Sequence, residues 1–166
     1  MDFNYIDKQV SRFSNFLQIL ALIALIILTT SVIYEVVARS VLDKPTIWSI
    51  EVVTYMISCV AFFGSAHVLR INRHLEINLL TNLLNSKLKK IINFISNFLA
   101  LCFCLIAFYY GCKLINLTYI LGVVSESELR VPQWIPQLTI PIGFFALSLE
   151  FIIRLIKNIK NIESSS

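Results

Sequence analysis

The sequence predicts an all-α integral membrane protein with four transmembrane helices and one interfacial amphipathic helix on the cytoplasmic side. Of the 166 residues, 57% are apolar, and the mean hydropathy is +0.78. Only 14% are charged, against about 25% in a typical soluble domain. Four apolar stretches approach the roughly 20 residues that a bilayer core requires, namely 13–34, 47–69, 91–110 and 134–153. Since these spans leave little room for a soluble part, we expect residues 1–166 to form one membrane domain.

The first span resembles a secretory signal at its start, because Lys8 and Arg12 precede the apolar run. The run is about twice as long as the apolar core of an ordinary signal peptide, and no small-x-small cleavage site follows it closely. We therefore expect the first span to be a retained helix. The short connection 41–46 contains Pro45 and predicts that spans one and two form an antiparallel pair.

The distribution of Lys and Arg predicts the orientation of the spans. The side of the membrane that holds both termini carries Lys8, Arg12, Arg70, Arg73, Lys87, Lys89, Lys90, Arg154, Lys157 and Lys160. The opposite side carries Arg39, Lys44, Lys113 and Arg130. The positive-inside rule therefore places both termini in the cytoplasm. Trp48 and Trp134 then fall on the outer side, where their amphipathic rings suit the headgroup layer.

Two connecting regions carry patterns of their own. From residue 75 to residue 88 the leucines recur at helical spacing, which predicts an amphipathic helix at the cytoplasmic interface. An alternative is that this stripe extends a neighbouring span and packs against another helix. After the third span, helical spacing continues to Gly122, a candidate C-terminal cap.

The outer loop 123–134 is the largest polar feature on the outer side. It carries Glu126, Glu128 and Arg130 and ends at Trp134. Such a loop is a natural contact surface for a soluble partner, and a solvated loop without a partner is the alternative.

Charged residues near the span ends need partners, because an ionisable group deep in a bilayer is costly. Glu35 and Arg39 are four residues apart, as are Glu150 and Arg154, so each pair fits a local ion pair on one helix. Glu51 has no cation within one helical turn. We predict that Arg39 pairs with Glu51 across the first hairpin.

The sequence offers no constellation for catalysis or for a cofactor. His67 and His74 lie two helical turns apart, about 10 Å, which is too far for them to share a metal ion. The four cysteines show no C-x-x-C spacing, and no nucleophile lies beside a base. We expect neither an enzyme nor a metal, cofactor or nucleic-acid site. His74 is expected to fix a helix end at the inner interface, with Arg70 and Arg73 meeting lipid phosphates or a partner chain.

Several short segments, taken in their order along the chain, point to one membrane family. They are Arg39 after span one, Trp48 and Glu51 at the start of span two, the segments 63–66 (FGSA), Arg70, 74–77 (HLEI), 131–134 (VPQW) and 140–143 (IPIG). In this order the chain resembles the small membrane subunit of tripartite ATP-independent periplasmic (TRAP) transporters, the DctQ-like family. The resemblance covers most of the chain. Two positions depart from the pattern: Ser40 stands where an aromatic residue is frequent, and Arg73 where a small residue is frequent.

The resemblance implies a subunit of the bacterial inner membrane that does not itself catalyse transport. It would support a large multi-spanning permease subunit that carries the substrate and sodium sites. An extracytoplasmic solute-binding protein would deliver an organic acid such as a C4-dicarboxylate or a sialic acid. In this interpretation the expected interface or structural residues are Arg39, Trp48, Glu51, Arg70 and His74. The expected contact residues for the binding protein are Glu126, Glu128, Arg130 and Trp134.

Two other classes of protein fit parts of the sequence. One is a small exporter in which two four-helix chains form a dimer around a membrane-embedded carboxylate, for which Glu35 is the best candidate. Glu35 lies near the end of its span, however, and the charge bias is too strong for dual orientation. The other class is a membrane scaffold or assembly factor that does not take part in transport.

Overall fold

The structure, a computed structural model, describes residues 3–41, 43, 46–71, 86–127 and 129–163. These residues are almost entirely helical. The helices are α1 (Phe3–Val41), α2 (Ile47–Ile71), α3 (Ser86–Ile120), α4 (Trp134–Gln137) and α5 (Thr139–Glu163).

Within the described residues, four helical segments are long and apolar enough to cross a membrane, which confirms the predicted fold class. They are Tyr5–Val41, Trp48–Ile71, Ile91–Ile120 and Trp134–Asn158. α1 has 39 residues and α3 has 35, so both are much longer than their predicted spans. Apolar runs mark the hydrocarbon layer and not the helix ends, because charged residues such as Lys and Arg are good helix formers. Most of the predicted interfacial helix 75–88 lies outside the described residues.

The long helices form a row in the order α1, α2, α5, α3, which we call the helix row. α1 packs along α2, α2 along α5, and α5 along α3, while α1 also touches α5. A buried apolar cluster lies where α1, α2 and α5 meet, at Leu17, Ala66 and Ala146. Small alanines at this junction let the helices approach each other closely, as is typical of helix contacts in membranes.

A glycine sets the distance between α2 and α5. A Cβ atom added to Gly143 would lie 2.6 Å from the carbonyl oxygen of Phe62 and 2.7 Å from its Cβ atom. The ring of the next residue, Phe144, packs against the ring of Phe62, with the centroids 5.6 Å apart. Gly143 belongs to the segment 140–143 that the sequence singled out, and its role is this close approach.

The end of α3 follows the expected glycine cap. Gly122 has φ +61°, a conformation that suits glycine. The amide of Gly122 donates to the carbonyl of Tyr119, and the amide of Val123 donates to that of Thr118. These two bonds are the Schellman pattern, which satisfies carbonyls that the helix end leaves free.

Residues 123–127 and 129–133 then form a hairpin loop. A β-bridge joins Val124 to Pro132. The amide of Ser125 donates to the carbonyl of Val131 at 2.9 Å, and that of Gln133 donates to Val123 at 3.0 Å. These backbone bonds close the loop just before the start of α4.

Candidate functional site

The polar contacts of the helix row gather at its two ends. We call the end that holds Phe3 and Glu163 the terminal end, and the end that holds the hairpin loop the loop end. α1 and α3 run from the terminal end to the loop end, and α2 and α5 run back.

At the loop end, Glu51 on α2 anchors the hairpin loop. Its side chain is buried, and its carboxylate accepts hydrogen bonds from the hydroxyls of Tyr55 and Ser127. The Ser127 hydroxyl also lies 3.1 Å from that of Ser125, whose oxygen accepts from the amide of Val131. The carboxylate is thus connected to both strands of the loop. Sequence analysis marked Glu51 but missed Ser127, because 76 residues separate the two.

The predicted pair of Arg39 and Glu51 is wrong. Arg39 donates instead to Glu35 on its own helix, with 2.8 Å between Nη2 and Oε1, so the predicted local pair is the one that forms. The second oxygen of Glu35 accepts from the amide and the hydroxyl of Thr46, the residue before α2. Glu35 therefore joins the end of α1 to the start of α2, and the carboxylate of Glu51 bonds to the hairpin loop instead of to Arg39.

Arg39 and Glu51 nevertheless line the same open cavity. It has a volume of about 560 Å³ and lies between the start of α2 and the hairpin loop. Glu126 and Gln133 also line it, so the loop supplies one wall and the first hairpin the other.

The aromatic residues expected at the outer interface lie at the loop end. Trp48 packs on Tyr34 with 5.5 Å between ring centroids. Trp134 packs on Tyr119 at 5.9 Å. Of the predicted loop contacts, Glu126 and Arg130 are exposed, whereas Glu128 lies outside the described residues.

At the terminal end, an ion network links three helices. Arg70 on α2 donates through Nη1 to Glu150 on α5 and through Nη2 to Asp7 on α1, each at 2.8 Å. Lys157 on α5 lies 2.5 Å from the other oxygen of Asp7. We call Asp7, Arg70, Glu150 and Lys157 the terminal ion network. It accounts for the predicted importance of Arg70, which the sequence had assigned to lipid or a partner.

Two further polar contacts lie near this network. The sequence pairs Glu150 with Arg154, whereas the structure gives each of them a partner on α2: Arg154 donates to the carbonyl of Leu69. This carbonyl lies in the last described turn of α2, so Arg154 links α5 to α2 beside the terminal ion network. His67 contacts Asn15 on α1, with 3.0 Å between Nδ1 and Oδ1. His74 lies outside the described residues.

The family follows from a comparison with known sequence families. The model for the DctQ component of tripartite ATP-independent periplasmic transporters matches residues 26–161. The chain belongs to the DctQ family. It is thus a small subunit of a TRAP transporter and a multi-pass membrane protein. No curated protein matches the chain.

DctQ proteins work in a tripartite transporter together with a large permease and a solute-binding protein, and the family is a transporter component and not an enzyme. The match includes Arg70 and Glu150 of the terminal ion network, and Glu51 and Ser127 of the loop anchor. Asp7 precedes it. Both polar ends of this DctQ chain therefore involve residues within the family region.

Proposed function

We propose that this chain supports the large permease of its transporter in the sodium-coupled uptake of an organic acid of the C4-dicarboxylate or sialic acid class. The observation that carries the proposal is the division of polar groups between the two ends of the helix row. In the described part of the chain, the buried apolar cluster between the ends is formed by Leu17, Ala66 and Ala146, a setting that does not favour a charged solute. Such a chain is suited to hold a partner in place, and the substrate and sodium sites then belong to the permease.

The terminal ion network supports this role. Arg70 is bonded to carboxylates on two other helices, so ion pairs connect α1, α2 and α5 at this end. A carrier that moves a domain across the bilayer needs a stationary partner. A helix row braced in this way widens the stationary part within the membrane.

We also propose that the chain is one membrane domain of the bacterial inner membrane, with the terminal end in the cytoplasm. Ten of the 14 Lys and Arg residues fall on the side of the membrane that holds both termini, and the positive-inside rule places that side in the cytoplasm. Reporter fusions at the C-terminus test the orientation. We expect a fluorescent protein fusion to be active and an alkaline phosphatase fusion to be inactive, and the reverse pattern would overturn the orientation.

The hairpin loop is proposed as a docking surface for the solute-binding protein. Glu126 and Arg130 are exposed on it, and Trp134 lies at its base. The anchor at Glu51 holds the loop in one conformation before the partner arrives. Preorganisation of this kind lowers the entropic cost of association. Glu128, on the same loop, is included in this proposal by its position in the sequence.

Charge reversal tests the docking surface. We expect the double variant Glu126→Lys, Arg130→Glu to raise the concentration of binding protein needed for half-maximal uptake, while the permease still co-purifies. Arg12→Glu, an exposed charge reversal at the terminal end, is the matched control. If the loop variant transports like the control, the loop is not the docking surface.

Reconstitution tests the function as a whole. Vesicles would contain the permease and this chain, with the binding protein outside, and uptake of a labelled C4-dicarboxylate and of a labelled sialic acid would be measured with and without a sodium gradient. We expect uptake of one of these acids only with all three proteins and the gradient. Transport by this chain alone would overturn the proposal in favour of a self-sufficient carrier.

A further inference from the structure

Helix α3 lies at one edge of the helix row. α3 packs against α5 and α4, and Gly111 marks the contact, because a Cβ atom added there would lie 3.4 Å from Ile140. The opposite face of α3 is exposed. Tyr109 is 64% exposed and Tyr110 is 61% exposed.

Polar residues recur along this exposed face. Tyr109, Lys113 and Asn116 follow one another at spacings of four and three residues, so they lie on one side of the helix. We call these three residues the α3 polar stripe. All three are exposed, and within the described part of the chain none of them has a hydrogen bond or an ion pair; Tyr109 has only a ring contact with Tyr110.

The register of α3 places the stripe within the bilayer. Phe108 packs on Phe145 of α5 with 5.7 Å between ring centroids, and Tyr119 packs on Trp134 at the start of α4. If this aromatic pair marks the interface, Tyr109 lies ten residues deeper. That is about 15 Å at 1.5 Å per residue, near the middle of a hydrocarbon layer of about 30 Å.

Three exposed threonines of α1 and α2 behave differently. Thr29 and Thr30 on α1 donate to the carbonyls four residues before them, and so does Thr54 on α2. Their hydroxyls are satisfied within their own helix and suit a lipid surface. A tyrosine hydroxyl cannot reach its own backbone in this way, and a polar group in hydrocarbon without a partner is costly.

Lys113 alone would not show that the α3 polar stripe needs a protein partner. A lysine about 9 Å below the interface can extend its ammonium group towards the headgroups. The ring of Tyr109 is too short and too rigid for that distance. The stripe as a whole therefore requires a protein partner with hydrogen-bond acceptors at this depth.

We propose that the α3 polar stripe is the face of this chain that contacts the large permease subunit. The permease would place hydrogen-bond acceptors against Tyr109 and Asn116, and a carboxylate or a free helix-end carbonyl against Lys113. The inference rests on the proposed function, which makes the permease the partner. Beyond the proposed function, it specifies which helix and which face contact the permease, and which polar groups take part.

Photo-crosslinking tests which face meets the permease. A photoreactive phenylalanine would replace Tyr109 or, as a control, Ile26, which is 66% exposed on α1. In membranes that contain the whole transporter, we expect the probe at position 109 to crosslink to the permease and the probe at position 26 to react with lipid. A complex that co-purifies without a crosslink from position 109 overturns the inference alone. If the permease does not co-purify with the unmodified chain, the proposed function itself fails.

Removal of the polar groups tests the chemistry. The triple variant Tyr109→Phe, Lys113→Met, Asn116→Leu is compared with Thr29→Val, Thr30→Val on α1. Hydrogen bonds between membrane helices contribute modestly, so we expect the loss of three to weaken retention of the permease about tenfold and the α1 variant to leave it unchanged. The isolated triple variant should remain as stable as the unmodified chain, because it removes unsatisfied groups. Equal retention of the permease by both variants would overturn the inference.

Discussion

Arg70 on α2 and Glu150 on α5 form an ion pair across 80 residues of sequence, with 2.8 Å between Nη1 and Oε1. Glu150 is 1% exposed, and within the described residues its second oxygen has no hydrogen-bond partner. The carboxylate therefore depends on Arg70. A buried charge that loses its only cation is left uncompensated, which costs more than the pair contributes.

We predict that Arg70→Met destabilises the purified chain by about 3 kcal/mol, because it strands Glu150 and takes one of two cations from Asp7, which keeps Lys157. Thermal unfolding in detergent measures the effect. Arg39→Met is the matched control, since its partner Glu35 lies on the same helix and Arg39 is 63% exposed. A surface pair of this kind contributes at most about 0.5 kcal/mol. Equal losses in the two variants would contradict the role given to the terminal ion network.

The close approach of α2 and α5 gives a second prediction. Gly143→Ala places a Cβ atom against the backbone of Phe62, so the helices must separate, at a cost of about 1 to 3 kcal/mol. Gly64→Ala is the control, because its Cβ atom would meet Gln18 and Ala21 at 3.8 and 3.9 Å, which are ordinary contacts. We expect Gly64→Ala to be neutral or slightly stabilising, since alanine favours helices over glycine. The melting temperatures of both variants decide this, and a tolerated Gly143→Ala would show that the helices can move apart freely.

Hydropathy was sufficient to predict the four membrane-spanning segments but not the full lengths of α1 and α3, because a span must be apolar and long whatever its neighbours are. Their order in the row was not predictable. That order depends on which helix surfaces fit together, such as the close approach of Gly143 to Phe62. The periodicity of a single sequence does not show which helix faces which. The same limit explains the site. Glu35 and Arg39 pair within one helix, so their spacing predicted the contact, whereas the contacts of Glu150 with Arg70 and of Glu51 with Ser127 join residues that are remote in sequence. The family resemblance marked Arg70 and Glu51 but did not supply those partners.

The separate partners of Arg39 and Glu51 give a third prediction. Arg39 and Glu51 line one cavity but bond to different groups, so their contributions to stability should be independent. We expect the free energies of unfolding of Arg39→Gln, Glu51→Gln and the double variant to be additive within about 0.5 kcal/mol. The corresponding cycle for Arg70→Met and Glu150→Gln serves as a positive control, and a coupling of more than about 1 kcal/mol is expected there. Strong coupling between Arg39 and Glu51 would restore the pair that the sequence suggested.

The anchor of the hairpin loop gives the last prediction. Glu51→Gln replaces a charged acceptor of the Ser127 and Tyr55 hydroxyls by a neutral one, and hydrogen bonds to charged groups contribute about 1.5 to 3 kcal/mol. The loop should open more often, so the amides of Ser125 and Gln133, which close it, should exchange with deuterium about tenfold faster, since 1.4 kcal/mol corresponds to a factor of ten. Glu126→Gln removes a neighbouring exposed charge and should leave this exchange unchanged. Unaltered exchange in Glu51→Gln would mean that the backbone bridge between Val124 and Pro132 holds the loop without the carboxylate.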